Sequence, residues 1–165
     1  MNHDSYGDDY IRSIFDDVRT IAVVGASPDW NRPSSFVMKY MATKGFRLFG
    51  VNPKAASAGQ RIGDGPAFAS LAEVPEPIDM VDIFRNSEAA GAVVDEALDL
   101  TPLPKAIWMQ FHVRNDAAAA RAEARGIRVV MNRCPKVEYS RLNGELGWTG
   151  VNPRVLTSRR RKLSP

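Results

Sequence analysis

Five short apolar runs, each closed by a turn signal, leave this chain few folds to choose from. The first, Ile21-Ala22-Val23-Val24, ends in Gly25, and the second, Phe46 to Val51, is cut off by Asn52-Pro53. The third is Ile78 to Phe84, the fourth Ala106 to Met109 and the fifth Ile127 to Met131. The first is a continuous apolar, β-branched run, the kind that suits a strand buried on both faces of a parallel sheet.

Helical periodicity fills the spaces between them. An opening helix capped by Asp8 or Asp9 repeats Ile11, Ile14, Phe15 and Val18 at helical spacing. Ser34 to Lys44 places Val37, Met38 and Met41 on one face, and Gly45 follows where a left-handed stop is expected. Ser87 is placed to cap a helix that runs through Leu98 and stops near Pro102. Asn115 caps the Ala-rich stretch Asp116 to Arg125, Gly126 closes it, and Pro135 stands at a further helix start. Residues 54 to 66 read as loop, and Ser70 to Glu73 as a single helical turn. Alternating strands and helices predict an α/β, doubly wound, mainly parallel five-stranded sheet with helices on both faces, a Rossmann-like fold.

A chain of 165 residues is the size of one domain. Residues 1–142 are expected to form it, and residues 143–165 to be a Gly-rich and then basic extension. Five of the 22 Lys and Arg residues (Arg154, Arg159, Arg160, Arg161 and Lys162) lie in the last twelve positions, which hold no acid. The rest carries 17 bases against 19 acids, a net of −2, so the body is no nucleic-acid platform. The acidic Met1 to Asp9 stretch has no apolar leader, and no apolar run approaches the ~20 residues of a membrane span. The single cysteine, Cys134, has no disulfide partner. With only His3 and His112 beside it, no zinc spacing arises. A cytoplasmic protein is expected.

In an open parallel sheet, ligands bind beyond the carboxyl ends of the strands, next to the first one. There the chain reads Gly25-Ala26-Ser27-Pro28-Asp29-Trp30-Asn31-Arg32-Pro33-Ser34-Ser35. Gly25 permits a sharp turn, Ser27 offers a hydroxyl, and Arg32 a full charge. The helix starting near Ser34 points its free amides at the same crevice, making an anion site. The dinucleotide fingerprint wants three glycines here and an acid about 20 residues later. This loop has one glycine, and the second strand ends in Asn52-Pro53-Lys54. Lys54 favours a phosphate on the ribose, as coenzyme A and NADP carry.

The ordered set Val24-Gly25-Ala26-Ser27, Arg32-Pro33-Ser34, Gly50-Val51-Asn52-Pro53-Lys54, Phe84-Arg85, Trp108-Met109-Gln110 and Arg133-Cys134-Pro135 resembles the small CoA-binding protein family. That family shares its fold with the nucleotide-binding domain of the succinyl-CoA synthetase alpha subunit. The likeness covers about residues 10 to 142. It implies that Gly25, Ala26 and Ser27 lie against the CoA pyrophosphate, Lys54 near the ribose phosphate, and Phe84 and Arg85 beside the nucleotide. It also departs at His112, where the family more often has glycine.

The resemblance points to binding of CoA or an acyl-CoA without catalysis. The synthetase relies on a phosphohistidine from another domain, which this chain is too short to include. Two alternatives come from other classes: an NADP-dependent oxidoreductase, and an interaction subunit acting through the basic tail. No serine-nucleophile elbow is present, because Ser27 is followed by Pro28. Trp108 reads as core, Gln110 as a structural hydrogen-bonding group and Cys134 as a buried, inert thiol. His112 has no nucleophile to serve as a base.

Overall fold

The computed structural model describes residues 1–145. Strands β1 (Thr20–Val24), β2 (Arg47–Val51), β5 (Met80–Ile83), β6 (Ala106–Met109) and β7 (Arg128–Val130) form one sheet in the order β2-β1-β5-β6-β7. All four pairings are parallel. Helices α1 (Asp8–Asp17), α2 (Pro33–Thr43) and α6 (Pro135–Leu142) cover one face, where Ile14, Phe15, Val37, Met41, Tyr139 and Leu142 pack on Ile21, Val23 and Trp108. Helices α4 (Ser87–Leu98) and α5 (Asp116–Ala124) cover the other, burying Val94, Ala97, Ala118 and Ala122 against Ala22, Val81, Ile107 and Val129. The doubly wound fold read from the sequence is the one observed.

The chain leaves β1 for β2 on one side and later returns to β5 on the other. Strand order therefore reverses at β1, which opens a crevice at the carboxyl ends of β1 and β5.

Local corrections are informative. The stretch 54–66, read as loop, contains α3 (Pro53–Ser57) and a hairpin of β3 (Arg61–Ile62) with β4 (Gly65–Pro66). Asn52 builds α3 by accepting the Lys54 and Ala55 amides, a cap hidden in what reads as a strand stop. The cap of α4 is Asn86, whose side chain accepts from Ala89 N–H, and not Ser87. Ser87 instead joins two loops, its Oγ accepting from Arg114 N–H at 3.0 Å while its carbonyl accepts from Asn115 Nδ2. The cap of α1 is Gly7, which leaves Asp8 and Asp9 in the first turn, where they suit the helix dipole.

Past residue 142 the chain still touches the body: Glu145 accepts from the Tyr40 hydroxyl at 2.7 Å and pairs with Lys44. The basic run 154–162 lies outside the described residues.

Candidate functional site

All ten residues singled out from the sequence stand at the carboxyl ends of three adjacent strands, β2, β1 and β5. Gly25, Ala26, Ser27, Arg32 and Ser34 belong to the turn from β1 into α2. Asn52, Pro53 and Lys54 open α3, and Phe84 and Arg85 follow β5.

Gly25 has φ +84°, and a Cβ there would meet the Phe84 carbonyl oxygen at 2.5 Å and Arg85 Cδ at 2.9 Å. The Arg85 side chain thus lies across the turn. The next stretch is stitched by its own hydroxyls. Ser27 N–H donates to Ser34 Oγ at 3.0 Å, and Ser27 Oγ accepts from Asp29 N–H at 3.1 Å. Ser35 Oγ donates to the Asp29 carbonyl at 2.8 Å.

Ser34 is thus not the cap of α2. Arg32 holds that position, Pro33 follows at the first helical residue, and no side chain caps the helix. The Ser27 amide is engaged by Ser34, so Ser27 offers a ligand its hydroxyl proton and not its N–H. Asn52 links the two loops, its Nδ2 donating to the Ala26 carbonyl at 2.8 Å while Oδ1 caps α3.

Arg32, Lys54 and Arg85 are exposed and make no ion pair among the described residues. Elsewhere Arg114, Arg121, Arg128 and Arg141 are each bonded to carboxylates. Three cations without carboxylate partners among the described residues, near a helix N-terminus that no side chain caps, have the chemistry that holding a multiply charged anion requires.

Sequence reasoning missed a buried carboxyl near this end of the sheet. Asp82, the third residue of β5, is buried between Val23 and Trp108 on the neighbouring strands. Gln110 Nε2 donates to both its oxygens, at 3.0 and 3.1 Å. Burial pushes the Asp82 carboxyl up to about 8, and the Gln110 bond offsets only part of that. The signal was an acid in the middle of the third run, Ile78 to Phe84, which also carries Asp79 near its start. Gln110 is the structural group expected of it, and Trp108 is fully buried, donating Nε1–H to the Arg133 carbonyl at 2.8 Å. Cys134 is buried, and that burial holds its thiol above the ordinary range, in keeping with an inert cysteine. Among the described residues no group of three His, Cys, Asp or Glu side chains could hold a metal ion, and no helix is long and apolar enough to cross a membrane.

His112 adopts φ +65°, and its N–H donates to Oδ1 of Asn132, itself at φ +52°. The left-handed geometry explains why a glycine suits this position. We expect His112→Gly to raise stability by ~1 kcal/mol, the strain released. That is a gain of ~2–4 °C in melting temperature. A lower melting temperature would mean that the imidazole makes a stabilising contact.

A family model described as a CoA binding domain matches residues 19–140. The Bacillus subtilis uncharacterized protein YneT is 35% identical over 130 residues, covering 79% of this chain and 92% of that protein. A solved structure from Thermus thermophilus, cell-free ID.343, is 34% identical with a TM-score of 0.75, over 82% of this chain and 98% of that one. A hypothetical protein from Pyrococcus horikoshii OT3 is 31% identical with a TM-score of 0.77, over 86% and 96%.

Proposed function

The chain belongs to the CoA-binding domain family, and from that premise we propose that it binds coenzyme A or an acyl-CoA at the carboxyl ends of β2, β1 and β5. The gathering of Arg32, Lys54 and Arg85, without carboxylate partners among the described residues, carries this reading. CoA bears a pyrophosphate and a separate ribose phosphate, and three cations along one edge suit both. The Ser27 hydroxyl and the N-terminus of α2 would serve the pyrophosphate, where Gly25 keeps the turn low. Phe84 and Arg85 would flank the nucleotide.

The end of β2 disfavours a ligand with free ribose hydroxyls. Dinucleotide binders place an acid there, whereas this chain has Asn52, whose amide is engaged in the cap of α3 and in the Ala26 carbonyl. Pro53 starts α3 and holds the next residue, Lys54, exposed beside the crevice. Lys54 is the residue that would read the ribose phosphate. In this reading the chain contributes binding: among the described residues, Cys134 is buried as a thiol and Asp82 lies beneath the surface.

A ligand panel tests this. CoA should raise the melting temperature, by several degrees at 100 times its Kd, since that excess is worth ~2.7 kcal/mol. NAD should not. Lys54→Ala should weaken CoA by roughly ten- to a hundredfold, the usual worth of a hydrogen bond to a charged group. Dephospho-CoA should be barely affected, and this comparison cancels general damage to the fold. Ser27→Ala should weaken both ligands alike, because the pyrophosphate is common to them. An NADP shift larger than the CoA shift would transfer the site to the oxidoreductase reading. Equal losses for the two CoA ligands would remove Lys54 from the phosphate.

A further inference from the structure

One end of the Gln110 side chain is accounted for by the fold, and the other is not. Gln110 follows β6, and its N–H donates to the Ile83 carbonyl at 3.3 Å, which sets it level with Phe84 at the end of β5. The residue is 7% exposed. Nε2 donates to both Asp82 oxygens, at 3.0 and 3.1 Å. A carboxyl in that place fixes the amide, since only its nitrogen can donate: Nε2 turns inward and Oε1 turns away.

Oε1 makes no hydrogen bond among the described residues, where the side-chain bonds of Gln110 run through Nε2. A carbonyl oxygen sealed in a core without a partner is costly, and no side-chain nitrogen or oxygen of the described residues is in that state. Oε1 is therefore open to the outside, at the carboxyl end of β6. A surface glutamine swings between donating and accepting. This one is more than nine-tenths buried, is held by Asp82 in one orientation, and presents only an acceptor. Such a group selects for an N–H or O–H donor and against phosphate, whose oxygens are acceptors themselves.

The identity of that donor rests on the CoA reading above. With the ribose phosphate at Lys54 on the β2 edge and the pyrophosphate at the β1 turn, the rest of the ligand continues across β5 to β6. That strand lies about 10 Å from β1, at ~4.8 Å per strand. The part of CoA that follows the pyrophosphate is the pantetheine arm, which carries two secondary amides, each with one N–H to give. We infer that Gln110 Oε1 accepts a hydrogen bond from a pantetheine amide. The site then takes pantetheine-bearing nucleotides by their arm as well as by their phosphates.

The chain has two glutamines, Gln60 and Gln110, and Gln60 is exposed. Wild-type protein labelled with carbon-13 at the glutamine side-chain carbonyl thus gives two NMR signals, which Gln60→Ala assigns. CoA should move the Gln110 signal downfield, as a carbonyl moves on accepting a hydrogen bond. Adenosine 3′,5′-bisphosphate, which has the nucleotide end and no pantetheine, should bind without that shift. CoA analogues with an ester oxygen in place of either amide N–H supply the affinity. On the wild type, one of the two should bind about two- to tenfold more weakly than CoA, the worth of one neutral hydrogen bond. In Gln110→Met that difference should vanish. A CoA complex that leaves the Gln110 signal in place overturns the inference while CoA binding stands, and it needs no variant at Gln110 to fold. A bisphosphate that moves the signal as far as CoA does gives Gln110 to the nucleotide and also overturns it. So do two ester analogues that bind as tightly as CoA, or an ester penalty that survives Gln110→Met. If neither CoA nor the bisphosphate binds, the CoA reading itself falls.

Discussion

Replacing Asp82 with asparagine should stabilise the protein strongly at pH 8.5 and several-fold less near pH 5. In the folded state burial pushes this carboxyl up to about 8, whereas an unfolded aspartate titrates near ~3.9. Between those values the folded chain holds a proton that the unfolded chain has released, so stability falls as pH rises through the window. The slope is ~1.4 kcal/mol per pH unit, which accumulates to ~4–6 kcal/mol by pH 8. Asparagine keeps the shape and an acceptor for Gln110 Nε2, and it has no charge to bury. The variant should therefore melt on the order of 10 °C or more above the wild type at pH 8.5. Near pH 5, about one unit above the unfolded value, the same slope leaves a gap of only ~1.5 kcal/mol, roughly a quarter of that at pH 8.5. Thermal melts at both pH values decide it. A gain of the same size at each would show that the carboxyl is not held protonated.

The second large effect is at Gly25. Gly25→Ala should cost about 3 kcal/mol or more and remove CoA binding, because two penalties coincide there. The backbone is at φ +84°, a region worth ~1–2 kcal/mol against a non-glycine residue. The new Cβ would also stand 2.5 Å from a backbone oxygen, that of Phe84. That oxygen cannot easily retreat. Gly25 N–H donates to the Val51 carbonyl on β2, and Phe84 N–H donates to the Val24 carbonyl on β1. Any shift strains sheet bonds on both sides. Gly45 supplies the control: it has φ +90°, yet a Cβ there meets nothing within 4 Å. Gly45→Ala should cost only the conformational share, ~1–2 kcal/mol. Chemical denaturation of the two variants measures the difference. Equal costs would mean that the β1 turn yields to a methyl group and that its closeness is no requirement of the site.

Much of this was legible along the chain because it is local. Ile21 to Val24 had to be a strand buried on both faces, for nothing in it is polar and Gly25 ends it. Asn115 and the alanines behind it had to be a helix, since its cap bond spans only three residues. The ten site residues could be placed at one edge because strand ends in a parallel α/β sheet share one side. Gly25 and Lys54 stood out by residue type alone.

What escaped was set by partners far apart in sequence or by chemistry with two local solutions. Asn86 and Ser87 are adjacent cap formers, and only the approach of Arg114 and Asn115 assigns Ser87 to bridging loops. Ser34 reads only as a helix start, and it is Ser27, seven residues earlier, that folds back to donate its amide to the Ser34 hydroxyl. The hairpin of β3 and β4 is two residues per strand, too short for any periodicity to announce.

The sequence by itself determined the alternation of strands and helices, and so the class of fold, because periodicity and turn chemistry act within a few residues. The tertiary structure alone decided the strand order β2-β1-β5-β6-β7, the crevice it opens at β1, and the burial that pushes the Asp82 carboxyl up. Each depends on distant segments excluding water together. Burial of a carboxyl between Val23 and Trp108 is a property of three strands at once.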